Sequence, residues 1–144
     1  MPIINMADQS LDQALSEGKI TAFVASFHEN ERPLHGIAGL LDWRFQGTIS
    51  NCLKSGAISG KAGESVYIPV QRGKKVFHLF LVGGGYLPDD GSRGKITDQN
   101  WTAVSKNLQS LKVTQIGISK TDFAKISDEK LQKLLGDIEL WTFQ

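Results

Sequence analysis

Apolar and polar positions follow two alternating periods along this chain. Ile20 to Phe27, ITAFVASF, and Val76 to Val82, VFHLFLV, are apolar at consecutive positions, the pattern of strands covered on both faces. Elsewhere the period is helical. Ser10-Leu11-Asp12-Gln13 has capping-box spacing and predicts a two-turn helix that stops at Gly18. Gly47 or Thr48 can cap a short helix with Ile49, Cys52 and Leu53 on one face and Gly56 in the left-handed position after it. Thr97 caps a helix whose Trp101, Val104, Leu108 and Leu111 form an inward stripe. Ser127 caps the last one, with Leu131, Leu134 and Leu135 inward and Gly136 as its stop. Ile3-Ile4, Val66 to Val70, Val113 to Ile118 and Ile138 to Phe143 read as further strands. Pro69 cannot donate to a ladder, so its strand is expected at an edge, joined through Gln71-Arg72-Gly73-Lys74 to Val76 to Val82 as a hairpin. His28 to Leu41 and Gly83 to Thr97 read as two long loops. The alternation of elements predicts an α/β fold, a three-layer α/β/α sandwich around a mixed sheet.

Composition narrows this little. At 144 residues, 40% of them hydrophobic and 22% charged, the chain has the make-up of one globular domain over residues 1–144. Sixteen Lys+Arg against fifteen Asp+Glu leave a formal charge of +1, so no overall field draws it to nucleic acid or an anionic membrane. A local basic patch stays open. The start lacks the basic and apolar regions of a secretory signal and no apolar run approaches a membrane span, so a cytoplasmic protein without membrane contact is expected. Cys52, the only cysteine, excludes an internal disulfide and a cysteine zinc cluster, and its place beside Leu53 reads as a buried thiol.

Candidate chemistry is sparse. The chain has no G-x-S-x-G elbow, H-E-x-x-H, P-loop or G-x-G-x-x-G, and no catalytic, metal or cofactor set is expected. The amides of Gly83, Gly84 and Gly85 could approach a phosphate or another anion, or the glycines could serve close packing under a neighbouring element. His28 and His35 could bracket a metal with Glu29 or Glu31, with a solvated loop as the expected reading, and His78 reads as a satisfied core histidine. Asp42 and Arg44 flank Trp43, which reads as a turn anchored in the core by the aromatic ring, a ligand contact being the alternative. Trp101 and Trp141 are expected in the core.

Ala38-Gly39-Leu40-Leu41-Asp42-Trp43-Arg44, Gly47, Ser50, Gly56, Ile58-Ser59-Gly60-Lys61-Ala62-Gly63-Glu64 and Leu81-Val82-Gly83-Gly84-Gly85 together resemble the N-terminal domain of the leucyl aminopeptidases, the M17 peptidase family. The resemblance covers nearly the whole chain and implies a macro-domain-like fold. In that family a separate C-terminal domain with two metal ions hydrolyses peptides, and its Asn-Thr-Asp-Ala-Glu-Gly-Arg-Leu motif is not found here, so no catalytic or metal residue carries over. The expected function is that of a non-catalytic, stand-alone domain binding a small ligand, nucleotide-like among the candidates because macro domains bind ADP-ribose in a comparable place, or a protein partner. One alternative is an assembly or regulatory module, for itself or for an aminopeptidase, since the family assembles into hexamers. Another is a hydrolase of ADP-ribose-type adducts, with Asp42, Asp89 and Asp90 as the candidates to position water. Open α/β sheets bind ligands beyond the carboxyl ends of their strands, so the expected crevice has His35, Gly36, Gly39 and Asp42 on one wall and Gly83, Gly84 and Gly85 on the other.

Overall fold

Successive side chains of a strand point to opposite faces, and the central strands here fill both. The computed structural model describes residues 4–6, 10–89, 96–119, 122–123 and 126–143. The elements run β1 (Ile4–Met6), α1 (Leu11–Glu17), β2 (Ala22–Phe27), α2 (Gly36–Arg44), α3 (Thr48–Lys54), β3 (Ser65–Arg72), β4 (Lys75–Gly83), α4 (Asp98–Ser110), β5 (Gln115–Ser119), α5 (Asp128–Leu135) and β6 (Glu139–Phe143). Phe23, Ala25 and Phe27 of β2, with Leu79 and Leu81 of β4, pack against Leu15, Ile37, Leu41 and Ile49 from α1, α2 and α3. The alternate residues Ala22, Val24, Phe80 and Val82 pack against Trp101, Val104, Leu108, Leu131 and Leu135 from α4 and α5. The result is a three-layer α/β/α sandwich. Its sheet has the order β1-β6-β5-β2-β4-β3, parallel except for the β3–β4 hairpin.

Pro69 sits on the edge strand in a position that suits it. Opposite it, the His78 amide donates to Thr21 O at 2.7 Å, on the β2 side, so the backbone groups of the Pro69–His78 pair point away from each other. Proline therefore costs no ladder bond and leaves no outward N–H for another strand.

Three expectations need correction. Residues 36–44, read as part of a glycine-punctuated loop and turn, form a nine-residue helix. Its buried face, Ile37, Ala38 and Leu41, has helical spacing that Gly36 and Gly39 obscure; at Gly39 the helix crosses the chain so closely that a Cβ would lie 2.5 Å from Leu34 O. Trp43 is not a core anchor. It lies two residues past Leu41, nearly opposite on the helix, and is 71% exposed. Arg44 stacks over its ring at 4.7 Å and forms a bidentate pair with Asp12 of α1, holding the Asp12 carboxyl below its ordinary value. Leu111 is the C-cap of α4 and is exposed. Trp101 is fully buried, while Cys52 and Trp141 are half-buried against the α1–α3 core. Among the described residues no helix is long and apolar enough to cross a membrane.

On the hairpin, the Tyr67 hydroxyl and His78 Nδ1 share a 2.6 Å hydrogen bond. Burial holds the His78 imidazole below its ordinary 6.5. The unfolded chain therefore takes up this proton at higher pH than the folded one, and the resulting stability is full above 6.5 and lost as pH falls below it. The urea midpoint is expected to fall on acidification from about pH 7 to 5, and to fall less in His78→Gln; an equal fall in both would exclude His78 as the source.

Candidate functional site

Because β2, β4 and β5 are parallel neighbours, their carboxyl ends lie side by side. The chain leaves β2 towards β3 and β4 over the face of α2 and α3, and leaves β5 towards β6 over the face of α5. Adjacent strands whose connections depart in opposite directions open a switch-point crevice, the usual ligand position in such sheets.

Asp122, just past β5, is fully buried there, and its Oδ2 accepts the Ser26 amide of β2 at 3.0 Å. Gly36 opens α2 on the same spot with φ of +63°; a Cβ on it would lie 3.2 Å from Asp122 Oδ1. His35 is the N-cap of α2 but makes no side-chain capping bond, and it stands 69% exposed at the rim. Behind it, Glu31 is only 3% exposed, with Oε2 3.6 Å from His35 Nδ1 and Oε1 3.8 Å from His28 Nδ1. These are Coulombic distances rather than hydrogen bonds.

The expectation of a solvated loop fails at His28, which is 1% exposed. Its ring fits because Gly84 has no side chain; a Cβ there would lie 2.6 Å from His28 Nε2. Among the described residues, no group of three or more His, Cys, Asp or Glu could hold a metal ion.

The other expected residues have definite neighbours. The amides of Gly83, Gly84 and Gly85 donate to Glu64 O, Phe27 O and Gly60 O at 2.7, 3.0 and 2.9 Å, so all three are used inside the fold. The Glu64 carboxylate in turn accepts the Ser59 and Gly60 amides at 3.1 and 2.7 Å, fixing the turn against which the glycines lie. Asp42 accepts the Ser50 amide at 2.8 Å and also its hydroxyl, tying α2 to α3. Gly39 packs on Leu34. His35 and Gly36 are the two of the seven that face solvent. Asp89 is exposed, and Asp90 lies outside the described residues. Sequence reasoning did not single out Ser26 or Asp122; the one available signal was that Asp122 follows the carboxyl end of an apolar strand.

The comparisons with known proteins agree with this architecture. The family described as "Cytosol aminopeptidase family, N-terminal domain" matches residues 23–134. A "Probable cytosol aminopeptidase" of Nitrosococcus oceani is 29% identical over 113 residues, covering 78% of this chain and 22% of its own length. The chain thus spans about a fifth of that relative. Among solved structures, the "Macrodomain of Thermus aquaticus DarG" superposes with a TM-score of 0.71 at 13% identity, over 100% of this chain and 99% of the other. A tomato leucine aminopeptidase mutant superposes at 0.59 and 15% identity, over 99% of this chain and 32% of the enzyme. At such identities the structural likeness shows the fold, which is macro-domain-like. With the family match covering more than half of its residues, the chain belongs to the cytosol aminopeptidase family and corresponds to its N-terminal domain.

Proposed function

We propose that this domain is a non-catalytic binding domain, and that a small, nucleotide-like anionic ligand enters at the β2–β5 switch point under the amino end of α2. One observation carries this reading. The first turn of α2 has no side-chain cap, and Gly36 is exposed at the crevice where open α/β sheets take ligands. His35 is the rim residue, Gly83 to Gly85 form the packed floor beneath His28, and Gly39 and Asp42 set the course of α2. Of the carboxylates considered for the hydrolase alternative, Asp42 is committed to Ser50, which leaves the exposed Asp89 among the described residues.

A second reading, docking onto another copy or onto an aminopeptidase, draws support from Trp43, a large aromatic exposed at the far end of α2. NMR titration with ADP-ribose, ADP and inorganic phosphate tests the first reading. Saturable amide shifts centred on Gly36, Ile37 and Ala38 are expected, and none with any of the three would refute it. Light scattering of the protein alone and mixed with an aminopeptidase tests the second, where a monomer in both samples counts against docking.

A further inference from the structure

At the opposite end of the sheet, Leu15, Ser16, Glu17 and Gly18 of the α1 terminus and Arg72, Lys75 and Phe77 of the hairpin enclose an open cavity of about 320 Å³. Leu15 and Phe77 belong to the core and give it an apolar floor. Its charges are unbalanced. Glu17, the one carboxylate in the lining, is already engaged by Lys19 at 3.6 Å and by the Gln13 side-chain amide at 3.3 Å. Among the described residues no carboxylate pairs with Arg72 or Lys75. Lys75 is held in place by donating to Gly18 O at 2.9 Å, in space that a Cβ on Gly18 would occupy. That bond uses one ammonium proton and leaves the charge unmatched. The guanidinium of Arg72 lies 6.0 Å from the Phe45 ring, with its donors not committed to any acid. A net charge of +1 over the chain therefore conceals a local surplus of positive charge beside an apolar floor.

We propose that this cavity is a binding site for a small organic anion, its carboxylate or phosphate between Arg72 and Lys75 and its apolar or aromatic body over Phe77 and Leu15. The site is independent of the switch-point crevice, and occupancy of the two is distinguishable amide by amide. Both cations are exposed, so the affinity is modest, with a dissociation constant on the order of 1 mM, and sensitive to salt.

The test is an NMR titration with phenyl phosphate and phenylacetate, alongside benzyl alcohol and inorganic phosphate. Saturable shifts are expected at Gly18, Gly73, Lys75 and Phe77 with at least one aromatic anion, weakened about tenfold in Arg72→Gln and by added salt. Arg72 is exposed, and the same spectra report whether the variant remains folded. No saturation up to about 20 mM, unchanged affinity in folded Arg72→Gln, or equal binding of benzyl alcohol would overturn the proposal. Inorganic phosphate binding as tightly as phenyl phosphate would overturn the role of the apolar floor.

Discussion

Gly83→Ala is expected to destabilise the fold by about 3 kcal/mol or more. The added methyl would overlap Lys61 O and lie 3.0 Å from the Gly60 carbonyl carbon and 3.1 Å from Glu64 Cβ. None of these is the loose end of a flexible side chain. The turn they belong to is fastened by the Glu64 carboxylate on the Gly60 amide and by the Gly83 amide on Glu64 O. Moving the turn aside would also strain the bond from Gly85 to Gly60 O, and with it the seat of His28, whose carbonyl carbon would be 2.7 Å from a Cβ on Gly60. Gly73→Ala is the control. Gly73 has φ of +64° but nothing within 4 Å of a built Cβ, so only the backbone penalty of about 1 kcal/mol is expected. Urea unfolding of the two variants separates the effects: losses of equal size would mean that close packing at Gly83 is not what requires glycine.

The contrast also marks what the sequence could disclose. Caps at Ser10, Thr97 and Ser127 and the doubly apolar strands β2 and β4 were legible because their signals lie within a few residues of one another. The edge place of β3 followed from Pro69, and its antiparallel pairing from the Gln71-Arg72-Gly73-Lys74 turn. Helix α2 was not legible, because two glycines in its first turn suggest a loop unless one knows that Gly39 must pass close to Leu34. The burial of His28 and Glu31 was hidden for a related reason: polar residues after a strand look solvated, and the room for the His28 ring exists only because distant Gly84 has no side chain. The loops at the carboxyl ends of the strands pointed to the end of the sheet where β2 and β5 part. Which groups meet there depends on contacts between distant parts of the chain, and no local pattern records those.

Asp122→Ala is expected to cost about 2 kcal/mol, within the range for taking the acceptor away from a buried backbone donor. The carboxylate reaches across 96 residues of sequence to the amide of Ser26, which is itself fully buried. Without it that N–H loses its acceptor in the interior, and the exit of β5 loses its tie to β2 where the two strands diverge. Asp122→Asn keeps an acceptor oxygen in nearly the same volume, so a smaller loss of about 1 kcal/mol is expected. Hydrogen exchange at the Ser26 amide discriminates further: it should speed up strongly in the alanine variant and modestly in the asparagine variant. Because a Cβ on Gly36 would lie 3.2 Å from this carboxylate, the folded asparagine variant should also show displaced amide signals at the start of α2. Unfolding curves that coincide with wild type in both variants would mean that the switch point is held together by its apolar packing alone, and that Asp122 is dispensable to the crevice.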